Sequence, residues 1–367
     1  MKNNTECLTL SAITSTALPV VYALMFLPSI FGNIMSLVIF KRLSRKTSTH
    51  IYLINLAVSN MVVSTGMPFQ MVYYSQAKRW AYNSVLCSIV YQAASILTHC
   101  SMCVSITIFC WIAVSRYATI IKHTARMQVT AYEKIIFGQI LKTFQKPRFA
   151  FYLCIGVWFC LLCPNIAFFL VNQDMAPDKH CFDKEVEVVT WGHKITSVVE
   201  STFFFTFFTI VLLFYYFLVK HIQQIQANSC IAEKHLVYSK VKNNLVTIVA
   251  LLLLCFTPYH ISKFLLVGFD YSHGCQKLSL LIELKNCCLS LAEFRSCTDP
   301  IVYLVLDDTF KKKFLLFCKK CSKEEEWSSS AVNNPSNIQT STASRIVLGT
   351  GTKGRPSLMS PQEKDDK

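Results

Sequence analysis

Three ionisable residues, Glu293, Arg295 and Asp299, fall within two helical turns of the apolar stretch Ser290 to Leu306, SLAEFRSCTDPIVYLVL. At 3.6 residues per turn, Arg295 and Asp299 share a face and can pair, whereas Glu293 lies two positions from Arg295 and points elsewhere. A buried charge is tolerated when paired, so the spacing predicts an Arg295–Asp299 ion pair, with an Arg295–Glu293 pair as the alternative. A second group lies in earlier and neighbouring runs: Tyr259, His260 and Lys263, with Lys285. Two ammonium groups converging on a partly buried cavity attract phosphate, carboxylate or sulfate. Either lysine can instead snorkel to headgroups or pair with Glu283 or Asp270. His99 is a further binding candidate, with a neutral packed histidine as the competing reading. No nucleophile, base and orienting group can be assembled, which argues against an enzyme. The 17 cysteines and nine histidines show no metal-ligand spacing, and no cofactor is implied.

The elements that must carry these groups are membrane helices. The chain has 367 residues, 53% hydrophobic and 16% charged, which disfavours an ordinary soluble domain. Seven apolar runs reach the roughly 20 residues needed to cross a bilayer. They extend approximately over Leu18–Phe40, Ile51–Tyr74, Cys87–Val114, Phe149–Val171, Ile195–Val219, Leu245–Phe269 and Leu278–Leu306. Basic loops follow the odd-numbered runs: Lys41, Arg42, Arg45 and Lys46; Lys122 to Arg148; Lys220 to Lys242; and Lys311 to Lys313. The loop before the fifth run is acidic, so the amino terminus is expected outside and the basic loops in the cytoplasm. The net charge of +15 is therefore largely topology, divided among short loops, which argues against nucleic acid as a partner.

This predicts an all-α membrane protein: an outer segment 1–16, a seven-helix bundle 17–306, an amphipathic membrane-surface helix 307–321 and a polar tail 322–367. No removable signal peptide is evident, so the first span is expected to direct insertion. Asn3 opens the sequon Asn3-Asn4-Thr5 on the outer segment. Most cysteines lie within the spans, where a thiol behaves as a small apolar group. Cys7, Cys87, Cys181 and Cys275 are expected outside, where two bridges and three connectivities are possible. Cys318 and Cys321 flank a basic amphipathic stretch suited to palmitoylation, with Phe310, Phe314 and Phe317 on its apolar side. The tail's hydroxyls, in a segment expected to be disordered, are candidate phosphorylation sites.

Local motifs occur in order along these runs: FGNI with Asn33, NLAVSN ending at Asn60, WIAVSRY with Arg116, Trp158, CFTPYH from Cys255 to His260, and DPIVY from Asp299 to Tyr303. Over about residues 17 to 321 the chain resembles the rhodopsin-like (class A) G-protein-coupled receptors. FTPYHISK and FRSCTDPIVY are similar to the purinoceptor-like branch of nucleotide, lipid and orphan receptors. The resemblance implies a plasma-membrane receptor for an extracellular ligand, here an anionic small molecule or lipid, that activates a heterotrimeric G protein, with the inhibitory type favoured. It implies that Arg116, followed by Tyr117, engages the G protein. Pro258, Pro300 and Tyr303 belong to the switching helices, and positions matching Lys263 and Lys285 help hold anionic ligands. The disulfide pairing adopted is Cys87 with Cys181 and Cys7 with Cys275.

The departures from the family pattern are informative. Asn60 stands where the family has a sodium-binding aspartate, Ser115 where it has the acid preceding the arginine, and Phe256 where it has tryptophan. The fifth run lacks the family's proline, Cys87 lies 29 positions before Arg116, and 42 positions separate Arg116 from Trp158. Since Asn60 removes an anion and Arg295 adds a cation, Arg295 is expected to replace the sodium ion as a tethered charge, with Ser105 and Asn60 accepting from its guanidinium. Ser115 offers Arg116 only a neutral hydrogen bond, which predicts raised ligand-free signalling. The alternative function is accordingly a constitutively active or ligand-independent protein acting through receptor pairing. A transporter lacks support from internal repeats. A light sensor needs a lysine where Glu293 stands.

Overall fold

The computed structural model describes residues 11, 13–76, 95–124, 143–171, 191–228, 232–268 and 275–319. Among them, a short π-helical turn, Ile13–Ala17, leads into α1, Leu18–Lys41. There follow α2, Ser48–Gln76, α3, Ser95–Thr124, α4, Pro147–Val171, and α5, Trp191–Asn228. The sixth helix comes in three consecutive pieces: α6, Ala232–Leu251, a π-turn Leu252–Phe256, and α7, Thr257–Val267. The last long helix is α8, Cys275–Leu306, and residues 308–319 are also helical. Among the described residues, six helical spans are long and apolar enough to cross a membrane: those on α1 to α5, and Ser239–Val267 across the three-piece sixth helix. At 32 residues α8 is long enough as well, and its charges are what set it apart.

The break in the sixth helix has a local cause. Pro258 has no N–H to donate and its ring crowds the carbonyl one turn back. The ladder widens there: the Thr257 N–H reaches the Leu252 carbonyl five residues back, and the Thr257 hydroxyl donates to the same oxygen at 3.1 Å. Phe256 ends the widened turn with its ring fully buried.

α3 is the most enclosed of these six spans and packs against α2, α4 and α5, while α1 lies against α2 and α8. Leu24, Leu27 and Phe31 on α1, Phe159 on α4 and Leu254 on the π-turn are exposed. Lipid is a suitable solvent for such faces, and backbone groups are satisfied within each helix. The interior differs in kind. Ser29, Ser64 and Ser296 form a hydroxyl cluster joining α1, α2 and α8, and Asn33 donates to the Ser29 and Ser296 carbonyls, each at 2.8 Å. Small residues permit this closeness. A Cβ built on Gly32 would stand 2.9 Å from the Pro300 ring.

Candidate functional site

The interior carries three polar stations, and the middle one answers the charge pattern of α8. Arg295 is 1% exposed and pairs through Nη1 with Asp299, one turn on. Its Nη2 donates to the Ser105 hydroxyl at 3.0 Å, and its guanidinium carbon lies 5.3 Å from the Phe256 ring centre and 5.7 Å from that of Phe109. The Asn60 amide donates to Asp299 at 2.9 Å and also faces the Asn33 side-chain oxygen at 3.1 Å and the Tyr303 hydroxyl at 3.2 Å. Ser59 completes the α2–α3 side, donating to the Ser101 carbonyl at 2.7 Å and lying 3.0 Å from the Ser105 hydroxyl. Ser105 thus accepts from Arg295 as expected. Asn60 does not: it donates to the carboxylate, because Arg295 already lies beside it. Glu293 is not Arg295's partner.

A sodium ion does not fit this arrangement. The guanidinium stands beside Asp299, and what remains around the pair is an amide, hydroxyls and aromatic faces, with no second carboxylate among the described residues there to offset another cation.

At the outer station Lys263 has its partner on another helix. This side chain, buried on α7, donates to Glu200 of α5 at 2.7 Å and lies 5.3 Å over the Tyr259 ring. Glu200 also faces His99 Nδ1 at 3.4 Å, and the Tyr259 hydroxyl lies 3.5 Å from that same nitrogen. His260 stacks on Phe204 at 4.4 Å and faces the Ser201 hydroxyl at 3.4 Å. Of the partners weighed from sequence, Glu283 instead accepts the Ser11 N–H at 2.8 Å, and Asp270 lies outside the described residues. Sequence reasoning misses Glu200. Its signal is nevertheless there, since it is the sole charged residue between Ile195 and Val219. Lys285, 3% exposed, makes no hydrogen bond or ion pair among the described residues.

At the inner station Arg116 has an acceptor on another helix. Its guanidinium donates to the Leu306 carbonyl at the end of α8, where unpaired carbonyls concentrate negative charge. The Asn244 amide of α6 abuts carbonyls of the same turn. Asp307 follows, 3.1 Å from His50 Nε2, and accepts the Phe310 N–H at 2.8 Å, an N-cap contact for the next helical turn. Burial acts to raise the Asp307 pKa, but the His50 hydrogen bond, the Phe310 N–H and the nearby charges of His50 and Arg116 outweigh it and hold it below 3.8. Phe310 packs 4.7 Å from Phe40, and Tyr117 meets Phe214 edge-on at 5.4 Å. Arg116 thus donates to a backbone carbonyl of another helix where the family has the neighbouring acid.

Cys7, Cys87, Cys181, Cys321 and Asn3 lie outside the described residues, as does the Cys275 side chain. Cys318 is exposed. Among the described residues no cluster of three or more metal-ligating side chains occurs.

Residues 32–303 match the family profile described as 7 transmembrane receptor (rhodopsin family). The chain is 39% identical over 329 residues to Probable G-protein coupled receptor 82 of Homo sapiens, covering 88% of this chain and 98% of that protein. It is 23% identical to Probable G-protein coupled receptor 34 of Mus musculus, covering 84% and 79%, and 25% identical to a type 14 purinoceptor of Bos taurus, covering 86% and 88%.

Proposed function

Because the chain belongs to the rhodopsin family of seven-transmembrane receptors, we propose that its extracellular signal is a small molecule or lipid carrying an anionic group, held by Lys285. The protein is a multi-pass receptor of the cell membrane that signals through heterotrimeric G proteins, and the family is not enzymatic. The observation that carries the anionic reading is the buried Lys285 ammonium, which has no counter-ion among the described residues. Lys263 is already matched by Glu200, so it shapes the pocket while Lys285 supplies the uncompensated charge. Basic residues after α1 and α8 support an outside amino terminus. Coupling to an inhibitory-type G protein follows from analogy with the purinoceptor-like branch alone.

The geometry suggests how binding reaches the inner face. Lys285 and Arg295 share α8, ten residues or roughly 15 Å apart along its axis. Arg295 ties α8 to α3 through Ser105 and lies against Phe256 at the widened turn of the sixth helix. An anion drawing on Lys285 biases α8, and Arg295 passes that bias to the turn ahead of Pro258. We read Arg295 as a tethered cation, with Asn60, Ser105, Asp299, Pro300 and Tyr303 as its switching neighbours. At the inner end, release of Arg116 from the Leu306 carbonyl frees it for the G protein. Each arrangement is selected by the ligand or partner that binds it better.

The test is G-protein activation in cells expressing the full chain, screened with phosphate-, carboxylate- and sulfate-bearing small molecules and lipids. For an agonist so found, Lys285→Gln should weaken potency about tenfold or more, the range of one charge-assisted hydrogen bond. An agonist without an anionic group, indifferent to Lys285→Gln, overturns the reading.

A further inference from the structure

The chain leaves α8 through two adjacent acids, Asp307 and Asp308, and each is fastened to a different helix. Asp307 lies 3.1 Å from His50 Nε2 on α2, and Asp308 pairs with Lys240 on α6. The two pairs differ in exposure. The His50 and Asp307 side chains are 3% and 10% exposed, whereas those of Lys240 and Asp308 are 39% and 62% exposed. His50 is also fixed from behind, where its Nδ1 accepts the Thr47 N–H at 3.2 Å. A buried pair held on both sides is an anchor. An exposed pair is screened by water and salt and adds little stability, so it can open without unfolding the helices it joins.

Arg116 is tied to the same junction. The Leu306 carbonyl that accepts from its guanidinium directly precedes Asp307, and the Asn244 amide of α6 abuts that turn. Residues 306–308 thus gather α2, α3 and α6. α6 reaches them as the far end of a lever whose pivot is the widened turn Leu252–Phe256, loosened ahead of Pro258. Lys240 lies 12 residues, or about 18 Å of helix, before Leu252. A tilt of about 10° at the turn therefore carries its backbone about 3 Å, enough to part Lys240 from Asp308 while Asp307 stays on His50. We propose that Lys240 and Asp308 form an autoinhibitory clasp, which holds the inner end of α6 at the end of α8 and yields when a G protein binds. On the reading that Arg116 serves the G protein once it leaves the Leu306 carbonyl, on which this proposal rests, the pair sets how often that release occurs without a ligand. Lys240 and Asp308 are positioning residues, acting on Arg116 through the placement of α6.

The test is ligand-free G-protein activation by the full chain in cells at matched surface expression, with the unfolding midpoint of each purified variant followed in lipid nanodiscs. Lys240→Gln and Asp308→Asn should each raise activation about two- to fivefold, the range by which an exposed ion pair shifts a two-state equilibrium, and leave the midpoint level. Lys240→Asp with Asp308→Lys rebuilds the pair with its sign reversed and should return activation to the wild-type level. Unchanged activation in both neutral variants, a reversed pair as active as they are, or a midpoint that falls as activation rises overturns the clasp. Adding Arg116→Gln to Lys240→Gln separates the clasp from the reading beneath it. Activation should then fall to that of cells without the receptor; a rise that persists overturns the role of Arg116 and leaves the Lys240–Asp308 restraint on α6 standing.

Discussion

Arg295 and Asp299, four residues apart on α8, form an ion pair in the middle of the bundle, and Asn60 from α2 donates to the same carboxylate oxygen at 2.9 Å. Three helices meet at that pair, because Ser105 of α3 accepts the other arm of the guanidinium. Arg295→Ala leaves Asp299 buried and unmatched, and breaking such a pair typically costs about 3–5 kcal/mol. Surface expression should fall sharply, and Arg295→Met with Asp299→Asn should restore much of it. With the cation tethered, agonist-stimulated signalling should not change when sodium is exchanged for choline at constant ionic strength. Asn60→Asp with Arg295→Asn should create sodium sensitivity, while a clear sodium effect on the unaltered receptor would refute the tethered-charge reading.

The Lys263–Glu200 pair gives a second, separable prediction. Lys263→Gln removes one partner of an enclosed pair and should lower the unfolding midpoint by several degrees, as should Glu200→Gln. Lys263→Met with Glu200→Leu should recover most of the loss. Additive losses in a double-mutant cycle would show that the two side chains do not act as a pair.

At the inner end the sign of the pH effect follows from Asp307. Its folded pKa is lower than its unfolded one, so it contributes stability above the unfolded value of about 3.9, and that contribution is lost as pH falls through the folded pKa. Between about pH 5 and 3 the midpoint of the receptor should fall more steeply than that of Asp307→Asn, whose curve lacks this titration. Parallel curves would count against the capped, His50-bound carboxylate.

Gly32 and Gly156 make an internally controlled pair. Alanine at Gly32 meets the Pro300 ring at 2.9 Å, and such overpacking typically costs about 1–3 kcal/mol, more than alanine's helix preference of about 1 kcal/mol regains. Gly156 has nothing within 4 Å of an added Cβ. Gly32→Ala should lower the midpoint and Gly156→Ala leave it level or raise it; equal effects would mean that α1 and α8 are not in close contact there.

The sequence alone determined the number, order and approximate limits of the spans, because a bilayer imposes a length and an apolarity that can be counted residue by residue. It determined the Arg295–Asp299 pair too, since a four-residue spacing on one helix is local geometry. Partners on other helices were not open to it. That Lys263 meets Glu200, 63 positions earlier, and that Arg116 reaches the Leu306 carbonyl, 190 positions later, depends on how helices rotate and settle against each other. For the same reason Ser115, next to Arg116 in sequence, could not reveal the acceptor that a carbonyl at another helix's end supplies. Glu293 was legible as a charge, but only the packing of α1 against α8 places the Tyr22 hydroxyl beside its carboxyl.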